Sequence, residues 1–519
     1  MKRNPFADEP PLVSGAPRQT LSRPWHRVTS SLHTMAWFIF YLVYAVIGWG
    51  IRVMMVTVVL RRQFAPGASV AWLGIVFLHP YIGLLLYLLV GESRLGPHRI
   101  ERYRQIAARL RDPARHPGRL PHQTRPDAPP TYQPMVLQAE KISGLPVLGG
   151  NQLDFLPDAA EFLQRLIADI AAAQQHVHLL YYIFACDRTA GAVGDALIEA
   201  VRRGVHCRVL ADALASRGFF HRHGLGPKLI AAGVEIVPAL SVAPFRRRMA
   251  RMDLRNHRKL AIIDGRIAFA GSHNLINPDY GGRRGNPWLD LTARFTGPIV
   301  GELASIFAED WAFETGREIE IPYPDPARAQ SPNGSSDEVL AQVVPTGPTE
   351  PDETYRRLLL AAIQSSRREL IITTPYFVPD ETTLLSLMMA ADRGVSVKLI
   401  VPQTGDHFFA AAAGRAHYLS LLRSGVEIHL YQPALLHAKT TTVDDAFALF
   451  GSANLDVRSF TLNFELSVLL YGKAITERLR EIQNQYLSQS RSLNLTDWQR
   501  RPMAKELTDR AVSLLSPLL

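Results

Sequence analysis

Two short segments carry the residue types that phosphodiester chemistry needs, in the same order and at the same spacing. Both follow the pattern H-x-K-x4-D-x6-G-S-x-N. The matching positions are His257, Lys259, Asp264, Ser272 and Asn274 in the first copy and His437, Lys439, Asp444, Ser452 and Asn454 in the second. An imidazole can act as a nucleophile or as an acid and base, whereas ammonium, hydroxyl and amide groups donate hydrogen bonds to an anion. The duplicated pattern therefore predicts a catalytic site for an anionic substrate.

Each copy has the sequence of two short strands joined by a turn. Asp264-Gly265 is a dipeptide typical of a type I′ hairpin, and Asp444-Asp445 takes its place in the second copy. A two-residue loop would place Ser272 directly across from His257, and the second copy would match. The histidine and lysine, two residues apart, share one strand face. For Asp264, a role in the turn and an electrostatic role at the site both stay open.

These donors can neutralise a phosphodiester without a metal ion. The groups that could bind its two non-bridging oxygens are those of Lys259, Lys439, Asn274, Asn454, Ser272 and Ser452. No carboxylate cluster with the spacing of cation ligands accompanies the motifs. We therefore expect neither a metal nor another cofactor.

The motifs close two stretches that repeat each other. HVHLLYYIF (176–184), AVRRGVHCRVLAD (200–212) and GVEIV (233–237) match ELIITTPYF (369–377), AADRGVSVKLIV (390–401) and GVEIHLY (425–431). Alternating β-rich and helical stretches predict an α/β fold of two pseudo-equivalent α-β-α domains with mainly parallel or mixed sheets. Tyr182 and Tyr376 occupy matching places, and contact with substrate and a place in the core both stay open for them.

Two apolar runs precede the repeat. Residues 35–51 carry no charge and continue past Arg52 to residue 60, and residues 70–91 form a second uncharged run. Each is close to the ~20 residues that cross a bilayer. We expect a polar basic leader (1–34) followed by two transmembrane helices (35–92). A signal peptide fits less well because the leader is long and no A-x-A site follows. Pro80 also leaves a shallow hairpin open.

Basic residues suggest the orientation and the partner. They are more numerous before the first run and after the second than in the Arg61-Arg62 connection, so the positive-inside rule places both termini in the cytoplasm. A net charge of +10 indicates an anionic partner, either lipid or nucleic acid. The basic loop 241–254 is typical of contact with anionic headgroups, with a solvated loop as the alternative. Cys186 and Cys207 are too few for a disulfide framework.

Composition divides the rest of the chain. The predicted segments are a linker rich in Pro, Arg and His (93–143), a first domain (144–322), a second linker (323–338), a second domain (339–485) and an amphipathic tail (486–519). For the tail, a surface helix and docking on the second domain stay open.

These residues resemble the phospholipase D superfamily, whose defining feature is the duplicated H-x-K-x4-D motif. The resemblance covers residues 144 to about 472. The apolar runs ending in LLLYLLVGESRLG, with YYIF (181–184), NHRK (256–259), SANLDVRS (452–459) and LNFE (462–465), resemble bacterial cardiolipin synthases. The long leader and the long linker depart from the family pattern. The resemblance implies two phospholipase D-like domains and a multi-pass protein of the bacterial inner membrane with cytoplasmic catalytic domains.

The resemblance also implies a reaction. Two phosphatidylglycerol molecules would give cardiolipin and glycerol through a phosphohistidine, in contact with anionic membrane lipids and without nucleic acid. It implies that Glu465 orients His437 and that Asp290 is the counterpart for His257, although Asp290 could instead cap a strand or pair with Arg294.

The two histidines are expected to differ in role. His257 lies between Arg255 and Arg258, whose charge should lower its pKa and keep it a neutral nucleophile. Glu465 should hold His437 protonated, as the acid and then the base.

Other functions stay open at this point. A membrane-bound phospholipase D would use water as the acceptor, and a related synthase would use phosphatidylethanolamine as second substrate. A phosphodiesterase-type nuclease and a non-catalytic lipid-binding protein fit less well, because of the apolar runs and the two complete motifs. The sequence leaves the oligomeric state undecided.

Overall fold

The computed structural model describes residues 25–62, 66–91, 95–113, 117–126, 129–241, 254–280, 287–320, 338–350 and 353–514. Residues 1–24 of the predicted leader, 242–253 of the basic loop and 323–337 of the second linker lie outside the described residues. The chain divides into two compact units, Met1–Glu92 and Ser93–Leu519.

The N-terminal unit consists of apolar helices. They are α1 (Trp25–Arg61), α2 (Pro66–Leu78) and α3 (Pro80–Leu86), followed by a π-helical turn at Tyr87–Gly91. Within the described residues, one helical segment, Met35–Arg61 of α1, is long and apolar enough to cross a membrane. This segment indicates membrane anchoring.

The second apolar run differs from the predicted continuous span. It breaks between α2 and α3 because Pro80 has no N–H for the helical ladder. At the break Arg52 donates two hydrogen bonds, of 3.2 and 3.0 Å, to the carbonyl of Phe77 near the end of α2. The last carbonyls of a helix lack intrahelical partners, so Arg52 satisfies one of them. Gly83 allows α3 to lie close to α2, since a Cβ there would be 2.7 Å from Cα of Val76.

In the described residues the C-terminal, catalytic unit contains one mixed sheet of fifteen strands and two separate two-stranded sheets. The first half contributes β1 (Leu148–Leu156), β2 (His176–Tyr181), β3 (His206–Asp212), β4 (Glu235–Ala239), β5 (Lys259–Ile263), β6 (Ile267–Gly271), β7 (Trp288–Leu289) and β8 (Thr292–Thr296). The second half contributes β9 (Val339–Thr346), β10 (Glu369–Thr373), β11 (Phe377–Val378), β12 (Ser396–Pro402), β13 (Glu427–Tyr431), β14 (Leu435–Leu436), β15 (Thr440–Val443), β16 (Phe447–Gly451), β17 (Leu455–Asp456), β18 (Glu465–Tyr471) and β19 (Ser490–Ser492).

The order of strands repeats about the centre of the large mixed sheet. The order is β19-β13-β12-β10-β15-β16-β18-β9-β1-β8-β6-β5-β2-β3-β4, with β9 and β1 joining the halves. Strands β2, β3 and β4 are parallel, as are β10, β12 and β13, whereas the motif hairpins β5–β6 and β15–β16 are antiparallel. The predicted α/β fold with two repeated domains and a mixed sheet is confirmed.

Helices cover both faces of the sheet. They are α4 (Pro97–Leu110), α5 (Gln133–Ser143), α6 (Ala159–Ala172), α7 (Arg188–Arg202), α8 (Arg217–Phe220), α9 (Leu225–Ala231), α10 (Ile299–Thr315), α11 (Thr354–Ser365), α12 (Glu381–Asp392), α13 (Phe408–Arg423), α14 (Val457–Thr461), α15 (Lys473–Ser488), α16 (Leu495–Gln499) and α17 (Met503–Ser513). Side chains of α10 and α15 share one core with strands of both halves. Helices α6, α7 and α9, and separately α11, α12 and α13, enclose two further cores.

The segment predicted as a linker, 93–143, instead belongs to the catalytic unit. Tyr103 of α4 is buried against Phe313 and Phe464, with ring centroids 5.3 and 5.7 Å away. Arg111 donates hydrogen bonds to Glu309 at 2.7 Å and to Glu350 at 2.8 Å. The arginines of this segment suggested that it is exposed to solvent. The acidic residues that bind Arg111 lie far away in the sequence, so nothing in the sequence indicated this contact.

The C-terminal tail docks on the second half. Asp509 of α17 accepts hydrogen bonds of 2.8 Å from both Arg415 of α13 and Arg501. Val512 packs with Ala412 and Ala413 of α13. Of the two alternatives for the tail, docking is the one that α17 adopts.

Candidate active site

The motif hairpins have the predicted strands but a different register. Ile263 lies opposite Ile267, and Val443 lies opposite Phe447, so three residues form each loop instead of two. Asp264 and Asp444 have φ angles of 51° and 50°, which a tight turn requires. The extra loop residue shifts each partner by one position. The prediction that Ser272 and Ser452 lie directly across from the histidines is therefore wrong.

The motif aspartates hold the turn end of each hairpin and not the reacting end. Asp264 accepts hydrogen bonds of 2.8–2.9 Å from the backbone N–H groups of residues 174–176. Asp444 accepts equivalent bonds of 2.7–2.8 Å from residues 367–369, and a bond of 2.7 Å from the hydroxyl of Tyr132. Each aspartate fixes the loop that enters the neighbouring strand. The catalytic role predicted for Asp264 and Asp444 is not supported, because both carboxylates are occupied at the far end of the hairpin.

Each motif histidine is held by a carboxylate from the other half. Nδ1–H of His257 donates to Oε2 of Glu465 at 2.9 Å. Nδ1–H of His437 donates to Oδ1 of Asp290 at 2.6 Å. Glu465 and Asp290 are thus each hydrogen-bonded to a motif histidine, but the predicted pairing of Glu465 with His437 and of Asp290 with His257 is wrong.

The chain segments beside the histidines explain the crossed pairs. Strand β14, just before His437, runs parallel to β7, just before Asp290, and the N–H of His437 donates to the carbonyl of Leu289 at 2.7 Å. In the other half Asn256 bridges to Phe464, whose carbonyl accepts from the N–H of His257 at 2.8 Å. Backbone pairing between the halves therefore places each carboxylate beside the opposite imidazole.

Glu465 is the centre of a buried polar cluster. Besides His257, its carboxylate accepts from the hydroxyls of Ser452 at 2.6 Å and Ser459 at 3.1 Å, and from the amide of Asn463 at 3.3 Å. Burial alone would raise its pKa, but His257, a neighbouring lysine and these donors outweigh burial and hold the pKa of Glu465 below its usual value. Glu465 is therefore an ionised acceptor.

The motif serines are structural. The hydroxyl of Ser272 accepts from the N–H of Leu291 at 2.9 Å, and that of Ser452 accepts from the N–H of Leu466 at 2.9 Å. Both side chains are fully buried. The predicted contact of Ser272 and Ser452 with substrate phosphate is not supported, because their hydroxyls join the motif hairpin to the strand beyond it.

The two lysines lie beneath the surface of the site. Nζ of Lys259 donates to the carbonyl of His257 at 2.6 Å, and Lys439 makes the same contact with His437. Burial lowers the pKa of Lys439 to about 8, against the opposing charges of Asp290 and Glu465. Burial also lowers the pKa of Lys259 well below its ordinary value. Lysine charge thus lies directly behind the imidazoles, where it can stabilise an anion.

Burial keeps both imidazoles neutral. It lowers the pKa of His257 to about 4 and that of His437 to about 3, and the lysine charges act in the same direction while the carboxylates oppose them. Arg258 is not the cause that the sequence suggested, because it is buried in an ion pair of 2.7 Å with Asp310. The expectation that His437 is held protonated at rest is likewise wrong.

One cavity of about 1240 Å³ contains both histidines. Asn274 and Asn454 line this cavity. Tyr182 and Tyr376 line it as well, so of their two alternatives, contact with substrate and a place in the core, the cavity wall favours the first. Residues that the sequence did not single out are Trp288, Asp406, Phe408, Phe409, Arg415, Arg458 and Asn463. The run GDHFF (405–409), a polar loop followed by two phenylalanines at a helix start, was the available signal for three of them. Within the described ranges, no three His, Cys, Asp or Glu side chains are grouped to hold a metal.

Comparison with known proteins agrees with this geometry. Residues 166–311 and 359–487 match the family described as cardiolipin synthase, phospholipase D-like domain. The cardiolipin synthase A of Pectobacterium carotovorum subsp. carotovorum strain PC1 is 36% identical over 89% of this chain and 95% of its own length. That of Escherichia coli O157:H7 is 35% identical over 92% of this chain and 98% of its own. The chain belongs to the cardiolipin synthase family. It is a phosphatidyltransferase of the phospholipase D type.

Two further similarities concern parts of the fold. Residues 50–92 match a family described as phospholipase D-nuclease N-terminal. The crystal structure of phosphatidylserine synthase from Haemophilus influenzae Rd KW20 superposes with a TM-score of 0.56, over 74% of this cardiolipin synthase family member and all of that chain. Their sequence identity is 15%, so this similarity supports the fold alone.

Proposed function

We propose that the enzyme transfers a phosphatidyl group from one phosphatidylglycerol molecule to another, giving cardiolipin and glycerol through a phosphohistidine. The observation that carries the proposal is the pair of imidazoles in one cavity, each with Nδ1 bonded to a buried carboxylate. This arrangement fixes the tautomer and leaves Nε2 of each ring for the substrate. No metal takes part in the proposed chemistry.

In the first step Nε2 of His257 attacks phosphorus, and the bond from phosphorus to the glycerol oxygen breaks. His437 gives a proton to that oxygen. Because both imidazoles are neutral in the free enzyme, the bound anionic phosphate must raise the pKa of His437 enough to protonate it. Lys259 and Lys439, with the amides of Asn274 and Asn454 at the cavity wall, stabilise the charge that gathers on the non-bridging oxygens.

In the second step a hydroxyl of the acceptor phosphatidylglycerol loses its proton to His437. Its oxygen attacks phosphorus, and the bond from phosphorus to His257 breaks. Cardiolipin leaves, His437 gives its proton to solvent as the anionic phosphate departs, and it is protonated again when the next phosphate binds. Microscopic reversibility thus gives one histidine the acid role in the first step and the base role in the second.

The cavity rim supports a lipid substrate. Phe408 and Phe409 line the cavity and are 59% and 53% exposed, which suits acyl chains better than water. Arg458 lines the same cavity and suits an anionic headgroup, whereas Arg415 and Arg255 there are paired with Asp509 and Asp212. We further propose that α1 and the α2–α3 segment anchor the enzyme in the bacterial inner membrane as two spans, with the catalytic unit in the cytoplasm; a shallow α2–α3 hairpin is the alternative.

The test is a product analysis with the full chain in detergent. Phosphatidylglycerol alone should give cardiolipin and equimolar glycerol, identified by mass. His257→Ala and His437→Ala should each abolish the product, whereas His206→Ala, at an exposed position, should not. Phosphatidic acid as the sole lipid product would contradict the proposal and assign hydrolysis. Cardiolipin formed only when phosphatidylethanolamine is added would assign the mixed-substrate reaction instead.

A further inference from the structure

The two halves of the cavity differ in charge although their motifs match. The ring of Tyr182 lies 4.6 Å from that of His257. Its counterpart Tyr376 is 6.4 Å from His437, and its hydroxyl lies 2.9 Å from each carboxylate oxygen of Asp406. Among the described residues of the first half, no carboxylate lines the cavity. In the second half two carboxylates line it, those of Asp406 and Asp456, and Asp456 caps α14 by accepting from the N–H of Ser459 at 2.7 Å. Carboxylates therefore distinguish the side of the second half.

A carboxylate beside a phosphodiester needs hydrogen-bond donors. The side chain of Asp406 is 12% exposed, the single proton of Tyr376 is shared between its two oxygens, and Nε2 of His407 lies 3.5 Å from Oδ2. An ionised carboxylate has about four lone-pair sites, so sites are left for other groups. Because it also repels the substrate phosphate, this carboxylate favours only ligands that bring donors of their own.

Asn463 carries another acceptor of the same cavity, beside Glu465 on the side of His257. Its side-chain nitrogen donates to Glu465 at 3.3 Å, which fixes the orientation of the amide. Its side-chain oxygen is then directed away from Glu465 and has no hydrogen-bond partner in the described part of the chain, although the residue is only 7% exposed. Buried acceptors are seldom left unpaired, so this oxygen also calls for a donor from a ligand.

We propose that Asp406 forms a polyol subsite that accepts hydrogen bonds from the two free hydroxyls of a glycerol headgroup. The inference rests on the proposed function, in which His437 protonates the oxygen of that same glycerol. The loop carrying Asp406 lies between β12 and α13, on the side of the cavity where Tyr376 faces His437. The subsite makes phosphatidylglycerol the preferred donor over phospholipids whose headgroup lacks hydroxyls.

A matched pair of substrates tests the subsite. Phosphatidylglycerol and phosphatidylpropanol with the same acyl chains differ only in the two hydroxyls. The full chain acts on mixed micelles that contain both lipids, so phosphatidylglycerol is the acceptor for either donor. The relative release of glycerol and propanol gives the ratio of the two kcat/KM values, which is compared between the wild type and Asp406→Asn. This substitution keeps the shape of the side chain and removes its charge. We expect the ratio to fall at least tenfold in D406N, and to stay at the wild-type value in Asp392→Asn, an exposed control at the end of α12.

The outcomes separate this inference from the proposed function. An unchanged ratio in D406N, or an equal loss on both substrates, would overturn the polyol subsite. Asp406→Glu is the second variant, because it keeps a carboxylate. Its ratio of kcat/KM values should be at least threefold above that of D406N. Equal ratios in the two variants would also overturn the subsite. A wild-type enzyme that makes cardiolipin but does not discriminate the two donors contradicts only the subsite. Failure to make cardiolipin from phosphatidylglycerol contradicts the proposed function.

Discussion

The crossed carboxylates allow each histidine to be perturbed from the opposite half. In a His437→Ala background the phosphoryl group should still be transferred to His257, provided that glycerol can leave without its acid. Adding Glu465→Gln removes the charged acceptor that lies 2.9 Å from Nδ1 of His257. We expect the phosphoryl-enzyme to form more slowly. Adding Asp290→Asn to the same background should change the rate less than about twofold, because the hydrogen-bond partner of Asp290 is already absent.

The size of the effect follows from the burial of Glu465. Its side chain is fully buried, so water cannot replace the lost acceptor. A hydrogen bond to a charged group contributes about 1.5–3 kcal/mol. A change of about 1.4 kcal/mol corresponds to a factor of ten in rate, so labelling should slow by about 10- to 150-fold.

The assay is a rapid-quench experiment with phosphatidylglycerol labelled in its phosphate. Alkaline denaturation preserves the phosphohistidine, and the label on protein is followed with time. Slowing by D290N without slowing by E465Q would refute the crossed pairing and restore pairing within each half. His257→Ala should show no label at all. Label on His437 in that variant would reverse the roles of the histidines. The two carboxylate variants would then be compared in the His257→Ala background.

Three other features of the catalytic unit have measurable consequences. A chain that begins at Ser93 should keep turnover on detergent-dispersed phosphatidylglycerol, whereas one that begins at Gly144 should lose it because Tyr103 goes with α4; equal turnover per folded protein would contradict this. Burial lowers the pKa of Lys439 to about 8, so its charge is lost and activity should fall as the pH rises through that value; Lys439→Arg should move the alkaline limb of the pH–rate profile upward, and an unmoved limb argues against the role of this charge. Asp264→Ala removes an acceptor of three backbone hydrogen bonds of about 0.5–1.5 kcal/mol each. The melting temperature should therefore fall by several degrees, while kcat per folded enzyme changes less than about threefold. A loss of kcat as large as that of His257→Ala would instead assign Asp264 a catalytic role.

Features set by local sequence were predictable, down to the motif hairpins. The continuous apolar runs on both sides of Asp264-Gly265 are sufficient to indicate β5, its turn and β6. They do not determine whether Arg266 pairs or joins the loop, because a strand that is apolar on both faces gives no signal against a shift of one residue. The register was therefore wrong by one, and with it the place of Ser272.

Features set by contacts between distant segments were not predictable. Tyr103 and Arg111 lie in a stretch whose composition is typical of a linker, yet both bind carboxylates about 200 residues further along the chain. Likewise Glu465 and Asp290 were predicted to orient the histidines. The order of the repeats assigned each carboxylate to the histidine of its own half. Only the docking of the two halves shows which imidazole each one reaches.

The crossed arrangement means that neither half holds a working histidine by itself. Within one half, His257 and Lys259 would be present without the acceptor that fixes the imidazole tautomer, and a buried ring nitrogen without a partner is costly. The same docking contacts also bury Arg258, whose Nε donates to the carbonyl of Glu465 at 3.1 Å, and they join β1 to β9 across the centre of the sheet. The contacts that stabilise the interface between the halves are thus the same contacts that hold the imidazoles in place. A substitution that loosens the interface between the halves should therefore disorder both imidazoles.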